Sequence, residues 1–122
     1  MADILYIVVP CYNEEEVLPE TSRRLRAKLE GLMAAGRISE QSRVLFVNDG
    51  SRDKTWNIIE MLHGECPLFS GIDLSRNRGH QNALLAGLMI SADRCDMAIS
   101  MDADLQDDID AVDAMVEQYY AG

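Results

Sequence analysis

The sequence predicts an α/β domain with a mostly parallel sheet and helices on both faces. Two observations carry this. Apolar runs of strand length alternate with longer helical patterns four times along the 122 residues, and the segments joining them are short, which favours a layered parallel arrangement over hairpins. The runs are also apolar throughout rather than at every second position, as strands covered on both faces must be.

Ile4 to Val9 is the most uniform run and is rich in β-branched residues. Val44 to Val47 and Met97 to Met101 read the same way. Leu68 to Leu74 is a fourth strand, interrupted by Ser70, Gly71 and Asp73.

The first helix is expected from about Glu15 to Ala35, with Leu18, Leu25, Leu29 and Leu32 on one stripe and Gly36 closing it. Pro19 fits there because it falls in the first turn. The second helix follows Asp53 as N-cap and turns Trp56, Ile59 and Leu62 inward. The third, about Gln81 to Ala92, is apolar nearly all round and is expected to be deeply buried. The fourth follows Asp107 or Asp108 and presents Ile109, Val112, Val116 and Tyr119 to the core.

Twenty-one acidic residues stand against 11 basic ones, a formal charge of -10. Such a chain is repelled by nucleic acid and by anionic lipid, so neither is expected as a partner. Much of this charge reads as solvated helix surface, with room left for a cation. Cys11, Cys66 and Cys95 have no zinc spacing, and an odd count without a secretory signal suits a reducing cytoplasm. No apolar run approaches the length needed to span a bilayer.

In open parallel sheets, ligands sit outside the carboxyl ends of the strands. Four polar segments occupy those ends: Pro10 to Glu14, Asn48 to Ser51, Ser75 to Gly79 and Asp102 to Asp107. Asp102 and Asp104 leave a strand with a small Ala103 between them, so both carboxylates point one way. Such a pair suits Mg²⁺ or Mn²⁺ shared with a substrate's phosphates, although solvated loop aspartates satisfy the same pattern. Asp49, before Gly50 and Ser51, either accepts from a nucleobase N–H or closes a turn on its own backbone.

Tyr12 offers a stacking face, and Glu14 a carboxylate for a ribose hydroxyl. Alternatively, Glu14 to Glu16 is a helix-start cluster favoured by the macrodipole. Arg76 and Arg78 are the most basic patch of the chain, placed to meet phosphate at a helix start or to pair with nearby aspartates. His80 reads as a helix-start residue, and the cysteines and methionines as packing groups, with Cys11 notable for its position.

Four stretches in this order, VPCYNEE (9–15), VNDGSRDKT (47–55), LSRNRGHQNALLAGL (74–88) and MDADLQDD (101–108), resemble the family-2 glycosyltransferases. The last resembles most the branch that transfers sugars to polyprenyl phosphates, which includes dolichol and bactoprenol enzymes. The resemblance implies a GT-A fold, Rossmann-related, and inverting transfer from a nucleotide-diphosphate sugar to a lipid-phosphate or saccharide acceptor. It implies that Pro10, Tyr12 and Glu14 border the nucleotide and that Asp49 contacts its base, while Arg76 joins the nucleotide-sugar contacts by its place at the helix start. Asp102 and Asp104 would serve diphosphate and metal, with Gln106 completing the metal's shell. The branch commonly carries a proline pair where Asp108-Ile109 stands here. Catalytic domains of the family run to about twice this length, so the chain is expected to be a donor-binding part. The whole enzyme is expected at the cytoplasmic face of a membrane, with self-association possible through any apolar surface left uncovered.

Three rival readings differ at named positions. A receiver-type signalling domain needs paired acids after the first strand, an aspartate after the third and a late lysine. Here those places hold Pro10-Cys11 and Ser75-Arg76-Asn77, and the lysines are Lys28 and Lys54. A dinucleotide-binding dehydrogenase needs a GxGxxG after a strand, which the sequence lacks. A non-catalytic nucleotide-binding module shares every donor-side feature, and detectable transfer would separate the two.

Overall fold

The computed structural model describes residues 2–104 and 109–121. Strands β1 (Leu5–Cys11), β2 (Arg43–Asp49), β3 (Phe69–Leu74) and β4 (Met97–Ser100) alternate with helices α1 (Leu18–Ala34), α2 (Thr55–Glu65), α3 (His80–Ser91) and α4 (Ala111–Ala121). All neighbouring strand pairs are parallel and the sheet order is β3-β2-β1-β4. The chain therefore runs outward from β1 to β3, then returns across the sheet to place β4 on the other side of β1. Right-handed crossovers put α1 and α2 on one face and, when the direction reverses, α3 on the other.

The two faces hold separate cores. Leu5, Ile7 and Val9 of β1 join Val44 and Phe46 of β2 beneath α1, α2 and α4. Val8, Leu45 and Val47 face the opposite way and meet Ala83 of α3. This is the period-2 alternation of strands with both sides covered.

Pro10 lies inside β1, where a missing N–H would ordinarily break a ladder. Its position resolves the conflict. The Val8 carbonyl accepts from Met101 N on the β4 side, so Pro10, two residues on, turns the same way. The β1–β4 pairing ends at Val8–Ser100, whereas the β2 register continues past Pro10 to Cys11–Asn48.

Helix α1 begins at Leu18, later than its sequence pattern suggests. The Glu14 carbonyl accepts from both Val17 N and Leu18 N, so residues 15–17 form a turn ahead of the helix. Pro19 sits in the first turn and Gly36 takes a φ of 72° past the helix end, as expected.

Two expectations are corrected. Helix α3 is not deeply buried: Ala83, Gly87 and Ser91 form its contact stripe, while Leu85 and Met89 are 54% and 68% exposed. The contact is close because Gly87 has no side chain. A Cβ there would lie 2.5 Å from Val8 Cγ1 and 2.9 Å from Val47 Cγ2. Ile109, just ahead of α4, and Val112 and Val116 within it are buried as expected, but Tyr119 is exposed. The inward stripe leaves the core at the last turn, where Tyr120 hydrogen-bonds Asp3 N and the Arg37 carbonyl. None of the described helices is long and apolar enough to cross a membrane.

Candidate functional site

The reversal of strand order between β1 and β4 opens a crevice at the carboxyl ends of the strands, where open α/β sheets bind ligands. A cleft of about 250 Å³ lies there, lined by Pro10, Cys11 and Tyr12 from β1, Asp49 from β2, and Asn77, Gly79 and His80 from the β3–α3 connection. Three of the four polar segments thus share one cleft. The fourth adjoins it, since His80 Nε2 stands 3.8 Å from Asp102 Oδ1. A second hollow of about 350 Å³, between α1 and α4, is bridged by Lys28–Asp113 and Arg37–Glu117 and has none of these groups.

The loops around the cleft are tied to each other. Asn13 adopts a left-handed φ of 54°, which asparagine tolerates better than most residues. In that conformation its amide donates to Ser51 Oγ (2.9 Å) and its side-chain oxygen accepts from Arg52 N (2.9 Å). Glu14 N donates to Thr55 Oγ1 at 2.8 Å, and Glu15 N to Asp53 Oδ2 at 3.3 Å. Four bonds therefore lock the β1 exit onto the β2 exit. Sequence reading found the two segments but not Asn13, Ser51, Asp53 and Thr55 as their fasteners.

Asp49 is buried, and its carboxylate is already engaged. It accepts from Arg78 N at 2.6 Å and Gly79 N at 3.1 Å. The charge is offset by donors at the start of α3, where the helix field also favours an anion. Gly50, at a φ of 66°, lies beneath the same loop, and a Cβ would come within 2.3 Å of Asn77 N. The DG turn therefore closes on a backbone some thirty residues away, not on its own. Arg76 is exposed and does not line the cleft, and Glu14 lies beside it rather than on its wall.

Glu14, Asp53, Asp102 and Asp104 form one electrostatic group. The Glu14 carboxyl is held above the usual carboxylate range, first by burial and then by the charges of Asp104, Asp53 and Asp102. Asp53 goes the other way. Burial opposes its ionisation, but hydrogen bonds from the Thr55 hydroxyl and amide and from Glu15 N outweigh that. The Cys11 thiol is pushed far up by burial, with Glu14 adding to the effect, so it is a packing group and not a nucleophile.

Oxygen donors with excess negative charge suit a hard cation, so the chemistry of this set fits Mg²⁺ or Mn²⁺. Among the described residues, no three acidic, histidine or cysteine side chains already converge on one cation position. Gln106, expected beside the metal, lies outside the described residues together with Leu105, Asp107 and Asp108.

Residues 6–122 match the family model described as Glycosyl transferase family 2. The chain belongs to that family. Over 119 residues it is 47% identical to the uncharacterized glycosyltransferase YkoT of Bacillus subtilis, covering 98% of this chain and 35% of that protein. It is 37% identical over 116 residues to a prophage bactoprenol glucosyl transferase homolog of Escherichia coli, covering 95% of this chain and 35% of the relative. It is also 37% identical over 121 residues to an undecaprenyl-phosphate 4-deoxy-4-formamido-L-arabinose transferase of Shewanella sediminis, covering 98% and 34%. The family-2 chain thus spans about a third of the length of the curated relatives it matches. Residues 1–349 of S. aureus TarS, solved in complex with UDP, superpose with a TM-score of 0.64 at 18% identity over 96% of this chain and 33% of that one. At that identity the likeness speaks to the fold, which is GT-A-like, as the sequence implied.

Proposed function

We propose that this family-2 chain is the donor-binding part of an inverting glycosyltransferase that uses a nucleotide-diphosphate sugar. The observation that supports this most is the cleft at the β1–β4 reversal, walled by Tyr12 and the α3 start and flanked by Asp102 and the acids around it. In this reading Pro10 and Tyr12 border the base and ribose, Glu14 reaches a ribose hydroxyl, and Arg76 turns toward phosphate. Asp49 has lone pairs left beyond its two amide bonds and meets the base from the cleft wall.

Asp102 and Asp104, with Gln106, would hold a Mg²⁺ or Mn²⁺ ion. Such an ion, when bound, neutralises charge developing on the departing nucleoside diphosphate. Asp102 and Asp104 orient that diphosphate, and the fixed loops around it keep the anomeric carbon open to in-line attack, with inversion. Charge stabilisation at the leaving group supplies most of the rate acceleration. The acceptor is a polyprenyl phosphate, in keeping with the bactoprenol and undecaprenyl-phosphate enzymes among its relatives. Its phosphate oxygen is already anionic and attacks without a general base. A saccharide acceptor would need a base from beyond these residues. The complete enzyme acts at the cytoplasmic face of the membrane.

Calorimetric titration with UDP, GDP, CDP and ADP, in Mn²⁺ and then in EDTA, tests the reading. Binding of one nucleotide that needs the metal supports it. A folded sample that binds none of them in Mn²⁺ would count against it.

A further inference from the structure

We propose that Thr21 is a positioning residue for the Asp102–Asp104 pair. The inference builds on the donor-site reading, but its geometry stands by itself. Thr21 is buried in the first turns of α1, and its backbone amide already bonds the Val17 carbonyl at 2.9 Å. Its hydroxyl is therefore not needed by its own helix. It donates instead to the Ala103 carbonyl, 82 residues away. The neighbouring hydroxyl, Ser22 Oγ, shows the ordinary alternative by bonding back to Pro19 O within α1 at 3.0 Å.

Ala103 lies between the two aspartates and is itself buried. Its methyl group and the Met101 side chain sit in the core beneath α1 and α4. Burial alternates through this turn, with Asp102 half-buried and Asp104 exposed, away from that core, and Asp102 Oδ1 stands 3.8 Å from His80 Nε2 at the cleft. Packing fixes the Ala103 side chain and Thr21 fixes its carbonyl, so the directions of both flanking carboxylates are set from beneath. Helix α1 grips the chain again beyond residues 105–108, where Lys28 Nζ reaches Asp110 Oδ1 at 2.9 Å and Asp113 Oδ2 at 2.6 Å.

Thr21→Val keeps the side-chain shape and removes the donor to the buried Ala103 carbonyl. Thr21→Ser keeps the donor. Hydrogen–deuterium exchange across residues 101–104, without any ligand, should quicken about tenfold in Thr21→Val, the effect of losing one buried hydrogen bond. Thr21→Ser should match the unaltered chain, and exchange in β1, β2 and the rest of α1 should not change. Mn²⁺-dependent affinity for the nucleoside diphosphate that binds best should fall about tenfold in Thr21→Val and return in Thr21→Ser, a split that general destabilisation does not produce. Unchanged exchange at 101–104 in Thr21→Val, or equal loosening of the whole sheet, would overturn the inference. If the unaltered chain binds no nucleoside diphosphate, the donor reading fails, and the exchange comparison still decides the role of Thr21.

Discussion

The Asp49 carboxylate joins the end of β2 to the start of α3 by accepting the Arg78 and Gly79 amides, 29 and 30 residues further along the chain. One buried side chain thereby fixes the loop that supplies Asn77, Gly79 and His80 to the cleft. Any contact between Asp49 and a base must coexist with these two bonds. Asp49→Ala would strand the Arg78 amide and leave Gly79 N with Asn77 Oδ1 as its acceptor, at a cost of about 1–3 kcal/mol. Urea denaturation should show the midpoint falling without a change in slope.

Gly87 seats α3 on the sheet. Gly87→Ala should improve helix propensity by about 1 kcal/mol, yet overpacking against Val8 and Val47 costs about 1–3 kcal/mol. The second effect is expected to win, because the nearer contact would be 2.5 Å against a branched side chain in the middle of β1. Thermal unfolding should show a lower Tm for the alanine variant, and an unchanged or higher Tm would mean that α3 shifts freely.

Glu14 is ionised at a cost. Its folded pKa lies above the ordinary value because burial and the charges of Asp104, Asp53 and Asp102 disfavour the carboxylate. The folded state therefore binds the proton more tightly than the unfolded chain, and stability from this group falls as pH rises from the ordinary carboxylate value through the raised one. Glu14→Gln should raise Tm at neutral pH in EDTA, and the gain should shrink toward zero below about pH 4. A gain that persists at low pH would have another origin.

Asp53 should behave in the opposite sense. Its pKa is lowered, so its stabilisation is present above the ordinary aspartate value and disappears as pH falls through the lowered one. Although Lys54 and not Asp53 is the N-cap of α2, Asp53→Ala loses the bonds to Thr55 and Glu15 and should cost about 1 kcal/mol at neutral pH, the net worth of such hydrogen bonds. The difference from the unaltered chain should vanish in acid, measured by denaturation at a series of pH values.

The strands were readable because each is a continuous apolar run, and Ile4 to Val9 and Val44 to Val47 differ from β1 and β2 only at their ends. The candidate cleft was readable because the polar segments fall where parallel strands stop. What sequence could not supply is partnership across the fold. Asp49 looked like a turn residue because its amide partners are distant in sequence, and Thr21 and Asn13 looked ordinary for the same reason. Helix α3 misled in another way. Its contact stripe consists of Ala83, Gly87 and Ser91, small residues chosen by closeness of approach, while its larger apolar side chains face outward. Hydropathy alone ranks those residues in the reverse order.

In the proposed function, Asp102 and Asp104 hold a cation against a nucleoside diphosphate. Calorimetry comparing the unaltered chain with Asp104→Ala, in Mn²⁺ and in EDTA, tests it most directly. The prediction is tight binding of one nucleoside diphosphate in Mn²⁺ that drops to the EDTA level in Asp104→Ala, with the far-ultraviolet circular dichroism of the two proteins alike. Equal, metal-dependent affinity in a folded Asp104→Ala protein would contradict it.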